Sequence, residues 1–243
     1  MGRLQSRRIL VTGAAGGMGQ VACGAFSAEG ARVLGTDLQE PPPGLQMEAY
    51  LAADLATRDG RQAVLDACGR ELGGLDGLYS NHGVILARRF EETTSDDWAR
   101  IMAVNLESVY FLVQGSLPLL ADGASVVLVA SAAGLAALPA MSAYSAAKGA
   151  LVMLARSLAV DLAARRIRVN AIAPGLVDTP MPRGFVAGLP DPEATWTGML
   201  AANLLGRAGR PTEVVSLGIH LLSEESGFTT GAVFPVDGGR LAT

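Results

Sequence analysis

Short apolar segments alternate with longer helical segments along almost the whole of this 243-residue chain. The strand-like segments are apolar throughout, as at 9–11 and 125–130, and do not alternate apolar with polar residues. Such strands are buried on both faces, which is typical of a parallel sheet covered by helices. The alternation therefore predicts an α/β fold, with one doubly wound, mostly parallel, seven-stranded sheet and helices on both faces.

The order of these segments predicts a single domain over residues 1–243, because no linker divides the chain. The segment from Pro174 to about Arg210 contains several prolines and is expected to be irregular. Within it, residues 178–210 are predicted to form a mobile lid over a site. The predicted strands are 9–11, 32–36, 49–53, 75–79, 125–130, 167–173 and 232–236, and the predicted helical segments are 18–29, 57–72, 95–120 with Ser95 as its cap, 142–164 and 211–222.

Charge and cysteine content exclude several classes of protein. With 19 basic and 23 acidic side chains, the chain has a net charge of -4 and no basic patch of the kind that binds nucleic acid. No apolar run reaches membrane-spanning length and no signal peptide is recognisable, so a soluble cytoplasmic protein is expected. The two histidines lie far apart, and Cys23 and Cys68 fall in helical segments, so we expect buried thiols and no metal site.

A glycine-rich turn, TGAAGGMG at 12–19, joins the first predicted strand to the first helix. Glycines let main-chain N–H groups approach a pyrophosphate, which the positive end of the helix also favours. The spacing of Gly13, Gly17 and Gly19 differs from G-x-G-x-x-G, and such a turn can also be a plain tight connection. Asp37 ends the second strand, where a carboxylate accepts hydrogen bonds from the adenosine ribose and repels a 2′-phosphate. Together these features predict a Rossmann domain that binds NAD rather than NADP.

Tyr144 and Lys148 are four residues apart in a predicted helix and therefore share one face of it. A free phenol has a pKa of about 10. A nearby ammonium group lowers that pKa, which would let Tyr144 exchange a proton with an alcohol oxygen. In isolation, such a pair is more often an exposed pair without function. Ser131 ends the fifth strand, at the rim of the expected ligand crevice, where its hydroxyl is free to bind the reacting oxygen.

These motifs, in this order, resemble the short-chain dehydrogenase/reductase family over nearly the whole chain. The matching segments are TGAAGGMG at 12–19, Asp54, SNHG at 80–83, VNL at 104–106, the strand ending at Ser131, YSAAK at 144–148, PGLVDTPM at 174–181 and DGG at 237–239. The resemblance implies that Tyr144 is the general acid and base and that Ser131 orients the substrate oxygen. It also implies that Lys148 lowers the pKa of Tyr144 and holds the nicotinamide ribose. Asn105 would kink a helix and hold a water in a proton relay.

The resemblance also implies an NAD site along the same edge of the sheet. Asp54 and Leu55 would contact the adenine, and Asn81 and Gly83 would line the adenosine side. Val177 and Thr179 would contact the nicotinamide carboxamide. The expected cofactor-binding residues are Gly13, Gly17, Met18, Gly19, Asp37, Leu38, Asp54, Leu55, Asn81, Gly83, Tyr144, Lys148, Pro174, Gly175, Val177 and Thr179.

His82 departs from the family pattern, which usually has NNAG where this chain has SNHG at 80–83. It is either a surface residue beside the pyrophosphate or a group that makes cofactor affinity depend on pH.

The substrate pocket is expected after Ser131, around 138–141 and in the 178–210 segment. Its candidate lining is apolar, with no basic cluster beyond Arg183, which predicts a neutral alicyclic, aromatic or steroid-like secondary alcohol or ketone. These side chains could instead only pack the lid. The expected substrate-binding residues are Ser131, Leu138, Met141, Tyr144, Met181, Phe185 and Trp196, with Leu135 and Met199 as further candidates.

Three functions are compatible with these motifs. An NAD-dependent secondary-alcohol dehydrogenase is favoured, since a preference for NAD leans towards oxidation. A 3-oxoacyl or carbonyl reductase of the same family usually goes with NADPH and a basic residue in the glycine turn, which this chain lacks. A non-catalytic NAD-binding regulator would have a broken Asn-Ser-Tyr-Lys set, whereas all four residues are present.

The resemblance also implies a homotetramer in which the helices around 104–120 and 142–163 pack between subunits. Small residues on the second helix would allow close approach, or could instead pack inside one subunit. They are Ala143, Ala146, Ala147 and Ala150.

Overall fold

The sheet in the computed structural model, which describes residues 2–242, has seven parallel strands. In chain order they are β1 Arg8–Thr12, β2 Arg32–Asp37, β3 Ala49–Ala52, β4 Leu75–Ser80, β5 Leu120–Val129, β6 Arg168–Pro174 and β7 Val233–Val236. They lie side by side in the order β3-β2-β1-β4-β5-β6-β7. The order reverses between β1 and β4, and a ligand crevice forms at the carboxyl ends of strands at such a point. The predicted doubly wound, seven-stranded sheet is confirmed.

The described residues form eight α-helices around this sheet. They are α1 Gly17–Ala28, α2 Arg58–Ala67, α3 Ser95–Met102, α4 Ser108–Ser116, α5 Ser142–Asp161, α6 Pro180–Ala187, α7 Pro192–Ala201 and α8 Pro211–Leu222. None of these helices is long and apolar enough to cross a membrane.

Each face of the sheet has its own hydrophobic core, because successive residues of a strand point to opposite faces. Leu78 of β4 belongs to the cluster that includes Leu112 of α4 and Leu151 of α5. Its neighbour Tyr79 packs edge to face on Phe26 of α1, with ring centroids 5.2 Å apart. Burial of each such side chain stabilises the fold by about 1.5–3 kcal/mol. Cys23 and Cys68 are free thiols buried in these cores, as predicted.

The predicted helical segment 95–120 is divided in the structure. A π-helical turn, Ala103–Glu107, separates α3 from α4, and β5 begins at Leu120, earlier than predicted. The helix cap is Thr94 rather than Ser95. The Thr94 hydroxyl accepts the Asp97 N–H at 3.1 Å, and the Asp97 carboxylate accepts the Thr94 N–H at 3.0 Å, which forms a capping box.

The sequence predicted an irregular segment at 174–210. The structure differs, because this segment contains α6 and α7. Pro180 and Pro192 each occupy the first turn of a helix, where the missing N–H leaves no hydrogen bond unmade. The two ends of this segment meet. The Gly209 carbonyl accepts the Asp178 N–H at 2.8 Å, and the Gly209 N–H is donated to the Leu176 carbonyl at 2.8 Å.

Candidate active site

The turn between β1 and α1 is held by close contacts that leave no room for side chains on its glycines. A Cβ on Gly19 would lie 1.9 Å from the Gly13 carbonyl oxygen. A Cβ on Gly17 would lie 2.9 Å from atoms of Thr179 and Pro180, so the segment after β6 lies directly over the start of α1. No described side chain caps α1, so its first N–H groups can bind an anion.

Asp37 lies beside this turn, at the carboxyl end of β2. One of its carboxylate oxygens accepts the Ala15 N–H at 3.0 Å, and the other accepts the Leu38 N–H at 2.7 Å. The oxygen that binds Leu38 also accepts the Gln39 N–H at 3.4 Å, so the oxygen that binds Ala15 is the one that keeps a lone pair for a further donor. Asp54 follows β3 at the same edge of the sheet, where it is exposed and accepts the Ala56 N–H at 2.9 Å. This edge therefore presents carboxylates, which suit hydroxyl donors.

Asn81 has an unpaired polar atom beside the turn. Its amide nitrogen donates to the main-chain oxygens of Thr12 and Gly13, each at 3.3 Å. Its Oδ1 is buried and accepts no hydrogen bond from any described residue, an arrangement that is unfavourable unless a ligand supplies the donor. The glycine cradle, the uncapped helix and this oxygen together fit a dinucleotide.

A cavity of about 170 Å³ opens at the same edge of the sheet and brings the four predicted catalytic residues together. Asn105, Ser131, Tyr144 and Lys148 all line it. The other predicted residues in its lining are Met18, Asn81, Gly83, Leu138, Met141, Pro174, Gly175, Val177, Thr179, Met181 and Met199.

Three predicted substrate contacts lie outside this lining. Leu135 is 40% exposed, and Phe185 is half-buried elsewhere on α6. Trp196 packs under Arg183, whose guanidinium carbon lies 3.9 Å from the ring centroid. Arg183 also pairs with Asp178 at 2.8 Å, so Trp196 packs the lid, the alternative left open by the sequence.

Lys148 is buried on α5 and donates to the main-chain carbonyl of Val129 at 3.0 Å. Burial lowers the pKa of this ammonium group to about 8. A Cβ on Gly134 would lie 2.6 Å from the main-chain carbon of Lys148. The turn after β5 therefore packs directly on α5 and fixes the position of the lysine.

Burial raises the pKa of the Tyr144 phenol, and its hydrogen bond with the Ser131 hydroxyl acts in the opposite direction. Ser131 Oγ also accepts the Ala133 N–H at 3.1 Å, which fixes its orientation. The sequence predicted a pKa lowered by Lys148. In the structure burial has the larger effect, since the ammonium nitrogen lies 5.9 Å from the Tyr144 ring centroid and bonds to a carbonyl instead.

Asn105 lies in the π-helical turn that separates α3 from α4, which is where a kink was predicted. Its Oδ1 accepts the Val84 N–H at 3.0 Å, and its amide nitrogen donates to the Val84 carbonyl at 3.0 Å. A Cβ on Gly83 would lie 2.5 Å from Asn105 Oδ1 and 3.5 Å from Lys148 Nζ. Asn105 therefore holds the loop after β4 against the lysine.

His82 is hydrogen-bonded at both ring nitrogens. The sequence had suggested a surface residue or a pH-sensitive group, and neither expectation included these bonds. Ser108 Oγ donates to the Val104 carbonyl at 2.7 Å and so accepts from His82 Nε2, also at 2.7 Å. Thr12 Oγ1 then donates to His82 Nδ1 at 2.7 Å. Burial lowers the pKa of His82 to about 3, and the charge of Lys148 acts in the same direction. His82 thus links β1 to α4 in its neutral form.

Arg240 is the lining residue of most chemical interest that the sequence did not indicate. It follows the DGG motif at 237–239, far along the chain from the other site residues. Only the return of the chain through β7 brings it to the cavity, and no local pattern signals this. The other lining residues that were not among the predicted site residues are Val84, Ile85, Val129, Ala130, Ala132, Ala133, Leu176 and Pro182. Among the described residues, no group of His, Cys, Asp and Glu could hold a metal ion.

Comparisons with known proteins extend over nearly the whole chain. The family model described as Enoyl-(Acyl carrier protein) reductase matches residues 13–240. The chain is 33% identical over 254 residues to a cyclopentanol dehydrogenase of a Comamonas species, covering 100% of both sequences. It is 32% identical over 250 residues to the 3-oxoacyl-(acyl-carrier-protein) reductase FabG of Thermotoga maritima, covering 98% of each. The solved structure of ligand-free aldohexose dehydrogenase from Thermoplasma acidophilum matches with a TM-score of 0.91 and 29% identity, over 99% of this chain and 96% of that one.

Proposed function

Because this chain belongs to the short-chain dehydrogenase/reductase family, we propose that it is an NAD-dependent oxidoreductase that interconverts a secondary alcohol and a ketone. The observation that carries the proposal is the convergence of four side chains in one cavity beside a dinucleotide cradle. They are Asn105, Ser131, Tyr144 and Lys148.

Tyr144 and Ser131 would act on the substrate oxygen. In the oxidation, Tyr144 in its phenolate form would take the hydroxyl proton of the substrate, while the Ser131 hydroxyl would hold the substrate oxygen in place. NAD, when bound, accepts the hydride from the alcohol carbon. Both side chains line the cavity, and the Ser131 hydroxyl acts to lower the pKa of the Tyr144 phenol, which supports this pairing of roles. In the reduction, Tyr144 returns the proton to the carbonyl oxygen.

Lys148 and Asn105 would support this proton transfer. Lys148, with a pKa of about 8, can change its charge near neutral pH, and its charge stabilises a phenolate on Tyr144. Asn105 bonds twice to Val84 and so keeps the loop after β4 beside the lysine. Asn105 would also hold a water molecule that relays the proton.

The cofactor proposed is NAD rather than NADP. Asp37 at the end of β2 suits the ribose hydroxyls and repels a 2′-phosphate. Asp54, Leu55, Asn81 and Gly83 would hold the adenosine half. The backbone at Pro174–Val177 and the Thr179 side chain would hold the carboxamide, and Lys148 the nicotinamide ribose.

The substrate proposed has a mainly apolar body, because Leu138, Met141, Met181 and Met199 line the cavity. The expectation of a neutral substrate rested on the lack of a basic cluster beyond Arg183 in the pocket segments. Arg240, which lies outside those segments, also lines the cavity. A 3-oxoacyl or carbonyl reductase is the second candidate, supported by the similarity to FabG. A non-catalytic regulator is the third, and the intact catalytic set disfavours it.

A substrate screen tests the proposal. Purified protein with NAD, and separately with NADP, is mixed with a panel of secondary alcohols and ketones, and NADH or NADPH is followed by absorbance. We expect NAD-dependent oxidation that falls about 1,000-fold in Tyr144→Phe, within the usual contribution of an acid–base group. Turnover only of ketones with NADPH would favour the reductase. No turnover, with unchanged NAD binding in Tyr144→Phe, would favour the regulator.

We also propose that the chain is one domain, works in the cytoplasm and assembles as a homotetramer through α4 and α5. Two free thiols suit a reducing compartment. Tyr110, Phe111 and Met153 are large apolar side chains, each more than 40% exposed on these helices, and they support an interface there. A sedimentation experiment that gives a monomer would contradict the tetramer.

The small-residue face of α5 is only partly available to that interface. Ala143 and Ala147 pack with Ile101 inside the same subunit, as the alternative expectation had it. Ala146 and Ala150 are not part of that cluster, and Ala146 is exposed.

A further inference from the structure

The charged side chains that line the proposed substrate cavity are all basic. Its lining includes two basic side chains, Lys148 and Arg240, and neither Asp nor Glu. The Lys148 ammonium is already bonded to the Val129 carbonyl. The guanidinium of Arg240 makes no ion pair or side-chain hydrogen bond with any residue in 2–242. An anionic partner stabilises a guanidinium that is half-buried in mainly apolar surroundings.

Other arginines of the chain show what such a partner looks like. Arg8 binds Asp76 at 2.8 Å, and Arg183 binds Asp178 at 2.8 Å with a second bond at 2.9 Å. A planar guanidinium binds a carboxylate through two parallel bonds in this way. Arg240 has the same binding capacity and is one of the residues that line the cavity.

The turn that carries Arg240 is fixed by its own main chain. The two carboxylate oxygens of Asp237 accept the Gly239 N–H and the Leu241 N–H, each at 2.9 Å. Gly238 and Gly239 have φ values of +65° and +85°, and a Cβ on Gly239 would lie 2.9 Å from the Leu204 side chain. Asp237 is therefore used by the turn, and the position of Arg240 is determined by the fold.

We propose that Arg240 binds an anionic group, a carboxylate in the first instance, on the substrate, so that the preferred substrates are apolar hydroxy acids and their oxo acids. This inference rests on the proposed alcohol–ketone chemistry at Tyr144. The substrate then makes contacts at two places: its reacting oxygen lies at Ser131 and Tyr144, and its carboxylate lies at Arg240. The apolar side chains between them enclose the carbon chain.

The test compares short 2-, 3- and 4-hydroxy acids with their methyl esters, which have similar shape and no charge. In the wild-type protein we expect kcat/KM to be about 30-fold or more higher for the best acid than for its ester, in line with a desolvated charge pair. Arg240→Gln should remove this preference by raising KM for the acid, while the ester changes by less than about threefold. Arg240→Lys should retain part of the preference, because it keeps the charge without the paired donors.

Arg70→Gln is the matched control, since Arg70 is exposed in the helical turn Cys68–Leu72 after α2, lies outside the cavity lining and, among the described residues, pairs with Glu71. It should leave the acid-to-ester ratio unchanged. A ratio near one in the wild-type protein, or an unchanged ratio in Arg240→Gln, would overturn the proposal for Arg240 and leave the proposed alcohol chemistry intact. A loss of NAD affinity in Arg240→Gln as large as the rise in KM for the acid would also overturn the proposal, because Arg240 would then bind the cofactor.

A binding measurement keeps the proposal testable if no compound is turned over. Butanoate, titrated calorimetrically into the protein with NAD present, should bind to the wild type and Arg70→Gln and at least about 10-fold more weakly to Arg240→Gln. Butanoate binding without turnover of any compound would contradict the proposed function and support the anion site. No binding of butanoate to the wild type would contradict the anion site.

Discussion

The ammonium group of Lys148 donates a hydrogen bond to the main-chain carbonyl of Val129, 3.0 Å away at the end of β5. Lys148 is also the only lysine in the sequence, in which every other strongly basic side chain is an arginine. An arginine cannot lose its proton in a protein, whereas burial lowers the pKa of Lys148 to about 8. The site therefore has the one strongly basic side chain of the sequence whose charge can change near neutral pH.

Replacing Lys148 with Met should separate activity from stability. We expect kcat to fall about 100-fold or more, and Lys148→Arg to restore little of it, because the proton cannot be released. The folded state disfavours the charged lysine, so the wild type should gain stability relative to Lys148→Met as pH rises from about 8 towards 10.5. Urea unfolding of both proteins between pH 7 and 10 measures this difference, and a constant difference would contradict the lowered pKa.

Asp37→Asn tests the choice of cofactor. The amide keeps the shape of the carboxylate but loses its charge, so kcat/KM with NAD should fall about 10-fold or more, as for a lost charge-assisted hydrogen bond, and the repulsion of NADP should decrease. Initial rates with both cofactors give the ratio. Glu40→Gln, an exposed acid three residues away, is the control and should change neither value. An unchanged NAD-to-NADP ratio in Asp37→Asn would argue against the ribose role.

His82→Ala should destabilise the fold by about 1–3 kcal/mol at pH 7, because Thr12 and Ser108 each lose a buried partner. The folded state keeps His82 neutral, so this contribution is full above about pH 6.5 and decreases as pH falls towards 3. Thermal unfolding at pH 7 and pH 5 should therefore show a smaller difference at pH 5. The pH profile of NAD affinity between 5.5 and 8 should be the same in both proteins; a changed profile would restore a pH-sensing role for His82.

Gly17→Ala and Gly24→Ala form a matched pair on α1. A Cβ at position 17 would press on Thr179 and Pro180 at 2.9 Å, whereas a Cβ at position 24 meets nothing within 4 Å. Gly17→Ala should cost about 1–3 kcal/mol of stability through overpacking and weaken NAD binding. Gly24→Ala should stabilise the helix by about 0.5–1 kcal/mol. Equal NAD affinities in the two variants would mean that the turn tolerates the displacement.

The strands and the glycine turn were predictable because their signals are local. An apolar run at 125–130 specifies a buried strand wherever it lies, and the spacing of Tyr144 and Lys148 specifies one helix face. The helices α6 and α7 were missed for a local reason as well. Pro180 and Pro192 were interpreted as breaks, although proline at the first position of a helix marks its start.

The residues that could not be predicted depend on distant parts of the chain. The role of His82 needs Ser108, which α4 supplies only after the π-helical turn has set its rotation. Arg240 reaches the cavity only because β7 pairs with β6 at the far side of the sheet. The pKa of Tyr144 depends on how deeply the phenol is buried, which helical spacing does not determine.

Both ends of the segment that carries α6 and α7 meet at Gly209, where two 2.8 Å hydrogen bonds join it to Leu176 and Asp178. The intervening residues form a cassette that begins after β6 and closes on itself at this single junction before α8. Ser131 and Tyr144 lie outside this cassette, since Ser131 follows β5 and Tyr144 is on α5. Sequence changes inside the cassette would therefore alter the cavity wall that Met181 and Met199 help to form, without replacing the residues proposed for proton transfer.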